Sequence, residues 1–548
     1  MHPWPEVSGQ SVKRGNIMSL PVPEAALPGM VTSPHPLASE AGAAVLRRGG
    51  NAIEAAVAIA AALAVVMPHF CGLGGDAVWL VADKQGLCRS FLGIGQAAAV
   101  LPEYQTAIPV RGPSSMITTA CAVDSWGHAL AFGQQHWQGR EQLSDLLMPA
   151  IAFAENGYQP GSTQDFWLEF RRPEIAQWPG FAAAFDHPAS MGIFTQRPLA
   201  RTLRHIAEHG YRSFYEGELA RRLGEAMASL GSPITAVDLQ LTRTRDAEPV
   251  SQDYRGVTLF APPPPTQGVS TLAILGILSR LDLASLPPSS AARYHLLVEA
   301  VKQAFLDREH IADPDFADGN SPGFLDPTRL EKKAQAIDHE RALEWPHAYQ
   351  HGDTVFFAAT DEQGRCASVL QSTYFDWGSG VVVGDTGVIW QNRGAAFSVA
   401  SGHPNAIKPG KRPFYTLNPG IAFRDGSPYL LYGTQGADGQ PQTLSLVLTG
   451  LLDYGMTPEQ ALAQPRFLLG KTFSDVHHSL KVEQSPGANI IGGLTALGHD
   501  VLPLPALSPI FGQAGVICIQ DQETILGSHD PRGEGVAMYV SSNRKSAT

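Results

Sequence analysis

At Thr354 the chain changes texture within a few residues. The run before it, "YQHGDT", is polar and poor in helix formers, whereas Val355–Ala359, "VFFAA", reads as a buried strand. The turn "DEQG" follows, and Arg365–Tyr374 reads as the returning strand of a hairpin. "PYLLYGTQGADG" supplies a further strand ending in a glycine turn, and "TLSLVLTGLLDYG" a helix. A sheet this apolar must be covered on its faces, and the chain before Thr354 supplies the cover. The fold class expected is therefore α+β, helices packed on antiparallel sheets.

Upstream, Ala38–Arg48 has helical spacing and stops at Gly49-Gly50. Asn51 is a good N-cap for the alanine-rich run Ala52–Met67. That run carries Glu54, ends at Pro68 and is shorter than the roughly 20 residues a bilayer requires, so it reads as a helix buried in protein. Gly72, Gly74 and Gly75 lead into a strand, Ala77–Ala82. A glycine loop that binds phosphate leads into a helix, so close backbone packing is the better reading here. From Leu143 to about Asp313 the pattern is largely helical, with one strand in "YRGVTLFAPPPPTQG" that runs into a proline stop. Residues 314–353 are polar and read as an exposed approach to Thr354.

Composition narrows the function. The net charge is −12 with no basic block, which argues against nucleic acid and anionic membranes as partners. Five scattered cysteines without a CxxC pair fit reduced thiols, and a cytoplasmic location is expected. Residues 1–28 read as a flexible, proline-bearing leader without the apolar stretch of a secretory signal. The 18 histidines show no HExxH or His/Cys ligand spacing, so neither metal nor other cofactor is expected. Glu299, on an amphipathic helix, and Asp76, after the glycine loop, read as structural. No G-x-S-x-G elbow points to a serine hydrolase.

A threonine hydroxyl needs a base before it becomes a nucleophile. The residue's own α-amine serves when the residue is a chain terminus, and its ordinary pKa of about 7.7–8.0 suits that duty. A threonine in mid-chain reaches that state if its hydroxyl attacks the preceding carbonyl and water cuts the resulting ester. Gly352 and the short Asp353 leave such a bond accessible. A strand-opening threonine is also a common structural residue, and local pattern alone leaves both readings open.

Motifs spread along the chain carry a resemblance. "GGNAIEAAVA", "MPHFCGLGGD", "FYEGELARRL", "APPPPTQG", "GDTVFFAATDEQGRCASVLQSTYFDWGSG", "GKRPFYTLNPGIAF" and "YGTQGADGQPQTLS" occur in that order. Together they resemble the γ-glutamyltransferase family of N-terminal-nucleophile (Ntn) hydrolases over nearly the whole length. The resemblance implies a four-layer αββα sandwich built from two fragments of one precursor. The cut would fall between Asp353 and Thr354, giving a large subunit, 29–353 behind the leader, and a small one, 354–548. Thr354 would be nucleophile and, through its α-amine, base. Ser372 falls where the family has a second hydroxyl bonded to the nucleophile. Gly436 and Ala437 fall where the family has a glycine pair forming the oxyanion hole, and alanine disfavours the positive φ that glycine allows. The two fragments would form a heterodimer, with a dimer of heterodimers as the larger assembly.

The resemblance breaks at the glutamyl pocket. An arginine in an "REtAP"-like stretch is replaced by "GIGQAAA", Gly93–Ala99. A "DDF"-like acidic pair is replaced by Ala395 and Ala396 before Phe397. A paired serine is replaced by Tyr415-Thr416. In exchange Arg393 stands where transpeptidases have a glutamate or glutamine, and an arginine fork suits a carboxylate. The expected substrate is a small amide with a carboxylate and no α-amino group. "WQNRGAAFS", "PFYTLNP" and "GQPQT" look most like the oxamate amidohydrolase branch. On that reading Arg393 grips the carboxylate, Tyr415 or Thr416 donates to it, and Tyr374 narrows the pocket. The alternatives are a γ-glutamyl hydrolase or transpeptidase acting on glutathione, a cephalosporin-acylase-like amidase, and an unprocessed, non-catalytic scaffold.

Overall fold

The computed structural model describes residues 29–185, 192–317, 323–345, 353–470, 478–485, 487, 489–520 and 524–541. The leader 1–28, and residues 346–352 with Gly352 among them, lie outside the described residues. Two antiparallel sheets dominate. The first has seven strands in the order Val536–Val540, Gly29–Ser33, Asp353–Thr360, Cys366–Tyr374, Asp76–Ala82, Cys88–Gly93, Arg245–Ala247. The second has six, in the order Ile525–His529, Ala514–Ile519, Ser427–Thr434, Gly420–Arg424, Val257–Ala261, Val250–Tyr254.

Three apolar cores separate four layers. One lies between the first sheet and its helices, among them Ala52–Val66, every residue of which is buried. A second fills the space between the sheets, with Val78, Leu80, Phe356, Ala358, Leu370, Ile421 and Leu431. A third packs the helices Gly268–Leu278, Ala291–Phe305 and Gln440–Leu452 on the second sheet. The architecture is the αββα sandwich.

The strand Asp353–Thr360 explains why the sequence after Thr354 has no polar alternation. Val355, Phe357 and Ala359 enter the helix-side core, while Phe356 and Ala358 enter the inter-sheet core. A strand buried on both faces reads as a continuous apolar run. The long helix starts as its sequence indicates. Asn51 Oδ1 accepts from Glu54 N, and Glu54 Oε2 accepts from Asn51 N, a complete capping box.

The glycine loop is a packing device. A Cβ on Gly74 would lie 2.2 Å from the Ile389 carbonyl oxygen, and one on Gly75 would lie 2.3 Å from that of Ser372. Two expectations change. The stretch from Leu143 to Asp313 includes three strands, Arg245–Ala247, Val250–Tyr254 and Val257–Ala261; only the last was legible, because the others are short and half exposed. Residues 314–353 are not simply an exposed approach. They contain the helix Pro327–Gln335, capped by Asp326 and anchored by buried Leu330 and Ala334.

Candidate active site

The site forms where the inter-sheet core turns polar. Side chains alternate along a strand, so Asp76 shares the inward face of Val78 and Leu80, Ser372 that of Leu370, and Thr354 that of Phe356. Asp76 and Ser372 are direct cross-strand partners. All three polar residues are fully buried. The Thr354 hydroxyl has no hydrogen-bond partner among the described residues.

The register slips beside it. Asp353 pairs with Tyr374 but Val355 with Gln371, so Ser372 and Thr373 both stand against Thr354. Such a bulge twists the strand and re-aims side chains. The Ser372 hydroxyl accepts from the Tyr374 N–H at 2.8 Å. Tyr374 itself sits at φ 84, a left-handed conformation that costs a non-glycine residue about 1–2 kcal/mol. The chain beyond it is held rigidly. Buried Asp376 takes two 2.7 Å bonds from Arg171 and one of 3.1 Å from Arg111, so two arginines before residue 353 pin a carboxylate after it.

Arg393 opens the short turn Arg393–Ala396. Its neighbours aim it. Asn392 Nδ2 donates to the Val110 carbonyl, and Asn392 Oδ1 accepts from Phe375 N. Gly394 is needed because a Cβ there would come within 2.2 Å of Ile117. The guanidinium is completely buried between two rings, 4.0 Å from the centroid of Tyr374 and 4.6 Å from that of Tyr415. One N–H donates to Thr416 Oγ1 at 3.1 Å. Nε and Nη2 have no partner among the described residues. Burial pulls the arginine below its ordinary pKa, opposed chiefly by Tyr415 and Tyr374 and then by Asp76. A cation stacked between aromatic faces with N–H groups left over has the chemistry to take an anion.

Tyr415 is placed differently from expectation. Its hydroxyl donates to Asp76 Oδ2 at 2.8 Å, and its ring face covers Arg393. Asp76 Oδ1 in turn accepts from the N–H groups of Gly95 and Cys121, both at 2.9 Å. Burial raises Asp76 to about 6 despite these bonds. The stretch Gly93–Ala99 thus meets the site through a backbone N–H on Asp76.

Gly436 and Ala437 follow the strand Ser427–Thr434, which crosses the strand Asp353–Thr360 closely. A Cβ on Gly433 would meet the Phe356 ring at 2.2 Å. Gly436 has φ 108 and Ala437 φ 42, so the alanine adopts the left-handed backbone despite its Cβ. Gln267 helps hold it there. Its Nε2 donates at 2.7 Å to both the Ala437 and the Thr416 carbonyl oxygens, and its Oε1 accepts from Arg308 Nη2 at 3.1 Å. Arg308 also pairs with Asp438. One side chain therefore ties the Arg393 pocket to the 436–437 turn.

Sequence reasoning read Asp76 as structural and missed Gln267, Arg308 and Asp438. The signal available for Gln267 was its place at the end of the motif "APPPPTQG", whose folded path pairs Thr266 with Tyr415. A cleft of about 770 Å³ lined by Arg245, His310, Phe316, His403, Lys408 and Arg412 includes none of the expected site residues. Histidine spacing gave no hint of a buried trio of metal-ligand type, His295, Glu299 and His499. Its atoms are already paired: Lys302 Nζ lies 2.8 Å from Glu299 Oε1, and His295 Nδ1 2.8 Å from His499 Nε2.

A four-layer sandwich with a strand-opening threonine on its inward face, a serine across the ladder and a glycine-led turn after the facing sheet's strand Ser427–Thr434 is the arrangement of an Ntn amide hydrolase. The comparisons agree. The chain belongs to the γ-glutamyltranspeptidase family, whose model matches residues 38–540. It is 41% identical over 518 residues to the oxamate amidohydrolase proenzyme of Klebsiella pneumoniae, covering 93% of this chain and 98% of that one. It is 39% identical to a glutathione hydrolase-like proenzyme of Bacillus subtilis, again covering 93% and 98%. The cephalosporin acylase structure from Bacillus halodurans superposes with a TM-score of 0.85 at 31% identity, covering 95% of this chain and 98% of that one. The protein is an amide-hydrolysing enzyme of this family.

Proposed function

We propose that the chain cuts itself between Asp353 and Thr354, and that the mature enzyme hydrolyses a small carboxylate-bearing amide, with oxamate the best fit. The observation that carries the substrate is Arg393: a buried cation between Tyr374 and Tyr415 with Nε and Nη2 unspent. A compact anion satisfies it, and the turn carries Ala395 and Ala396 where an acidic pair would meet an α-ammonium group. The 41% identical oxamate amidohydrolase supports the same reading.

In the proposed cycle Arg393 holds the carboxylate and the freed Thr354 amine takes the hydroxyl proton. Oγ1 attacks the amide carbon, and the developing oxyanion is met by N–H groups of the Gly436–Ala437 turn. Donors of that kind are worth about 3–4 kcal/mol each in a transition state. The C–N bond breaks, ammonia leaves with the transferred proton, and an oxalyl ester remains on Thr354. Water then cleaves the ester, giving oxalate and restoring the hydroxyl. Ser372, across the ladder, positions the nucleophile.

The test compares ammonia release from oxamate with glutamate release from glutathione, using processed enzyme. Faster turnover of oxamate is expected. Preference for glutathione overturns the substrate assignment, and loss of all activity toward both amides overturns the catalytic one.

A further inference from the structure

Asp76 poses a problem of charge. It is a fully buried carboxylate on the inward face of the first sheet, yet among the described residues no arginine or lysine pairs with it; it accepts from Gly95 N, Cys121 N and the Tyr415 hydroxyl. Arg393 poses the complementary problem: a fully buried guanidinium bonded to Thr416 Oγ1, with Nε and Nη2 unpartnered among the described residues. Tyr415 lies between them, its hydroxyl on Asp76 and its ring face 4.6 Å from Arg393.

A buried ion pair in direct contact would spend the donors of the arginine. An isolated buried cation would carry the full cost of desolvation. The arrangement here avoids both, because the carboxylate supplies its charge to the pocket through a phenol and leaves the fork open.

We propose that Asp76 is the positioning counter-charge of Arg393, relayed through Tyr415, and that it sets how tightly the pocket holds a substrate carboxylate. This rests on the assignment of Arg393 as the carboxylate receptor. The consequence has a definite sign. An ionised Asp76 competes with an incoming anion for the field of Arg393, so it weakens binding and eases release of a dianionic product. A neutral Asp76 leaves the cation to the ligand alone. The groups facing Asp76 keep fixed charges through the neutral range. The Tyr415 phenol is raised well above its ordinary value by burial and the Cys121 thiol likewise, while a guanidinium keeps its charge throughout this range. Asp438 is the other carboxylate coupled to Arg393, and it is paired with Arg308. Asp76, raised to about 6 by burial, is thereby the pocket group that changes charge between pH 5 and 7.

The experiment measures inhibition by oxalate and the KM for oxamate from pH 5 to 8, in processed wild-type enzyme and in Asp76→Asn. In wild type the oxalate inhibition constant should rise by on the order of tenfold as Asp76 ionises, the size expected of a nearby unit charge in a partly screened site. Asp76→Asn should bind oxalate at least as tightly as wild type does at pH 5, with no rise at higher pH. Structural damage alone would weaken binding at every pH. The Thr354 amine also titrates, but it is intact in Asp76→Asn, so a rise that survives the substitution belongs to the amine and overturns the proposal. If Asp76→Asn fails to process, Tyr415→Phe serves. It keeps the ring on Arg393 but removes the bond to Asp76, and the inflection should move up by about one pH unit; an unmoved inflection overturns the proposal. Oxamate turnover with pH-independent oxalate binding sinks this inference alone. No turnover of oxamate sinks the functional assignment and this inference with it.

Discussion

The Arg393 guanidinium lies 4.0 Å above the Tyr374 ring, and the Tyr374 backbone pairs with Asp353, the residue before Thr354. The proposed anion receptor and the proposed cleavage site thus meet at one residue. Tyr374 holds that place at φ 84, in a conformation tyrosine seldom adopts. Strain of that kind persists where the surroundings over-determine it, and the Asp376 clamp on Arg111 and Arg171 does so here.

Replacing Arg393 by Gln should act mainly on affinity. A charge-assisted hydrogen bond contributes about 1.5–3 kcal/mol, so the KM for oxamate should rise about 10- to 100-fold, with a smaller effect on kcat. Lysine should not restore it, since an ammonium lacks the planar fork that stacks between Tyr374 and Tyr415. Steady-state kinetics check this; unchanged KM in Arg393→Gln would move the carboxylate site elsewhere.

Thr354→Ala should leave the chain as one band near 58.6 kDa on denaturing electrophoresis, where wild type gives two. Thr354→Ser retains a hydroxyl and should still cut. Cleavage of the alanine variant at the same bond would remove Thr354 from the processing step.

Gln267→Ala removes both 2.7 Å bonds that hold the Thr416 and Ala437 carbonyls. At about 1 kcal/mol net per bond, kcat should fall about 10- to 30-fold through loosening of the turn. Gln267→Glu fills the same space without the two N–H donors and should do no better. Activity within twofold of wild type in both variants would make Gln267 a filler.

Ala437→Gly should be nearly neutral. It loses a buried methyl, worth about 0.8 kcal/mol, and relieves a positive φ worth about 1–2 kcal/mol. The N–H stays in place, so kcat should change less than threefold. A tenfold loss of activity would show that the methyl itself shapes the site.

Acid should destabilise the fold. Burial lowers His69 to about 3, His35 and His529 to about 4, and His499 to about 3. A histidine that stays neutral when folded but protonates when unfolded favours the native state above the unfolded value of about 6.5. That contribution is lost as pH falls from there toward the folded values, at up to about 1.4 kcal/mol per pH unit for each. Asp76, shifted upward, opposes this weakly. Thermal unfolding should show Tm flat from pH 8 to 7 and falling from 6 to 4.5; a Tm that climbs on acidification would contradict the buried neutral histidines.

Much of the fold was legible because its signals are local. The run after Thr354, the capped helix at Asn51 and the glycines at 72–75 each carry their reason within a few residues. The helix Pro327–Gln335 was missed because its apolar contribution to the core is only Leu330 and Ala334 among charged neighbours. The proposed site was legible in part. Thr354, Ser372, Arg393 and the Gly436–Ala437 turn sit in stretches whose resemblance points to them. Gln267, 149 residues from Thr416 and 170 from Ala437, gave no sign of touching either.

The sequence alone determined which elements form, since hydrophobic period, caps and breakers act over one or two turns of chain. Through the resemblance it also placed an arginine, Arg393, where transpeptidases have a glutamate or glutamine. Tertiary structure alone decided what that arginine is worth. Its charge is set by two rings and by Asp76, which lies 317 residues before Arg393 in the chain and is joined to it through Tyr415. Electrostatic energy depends on distance and burial, and neither is written in the spacing of residues along the chain.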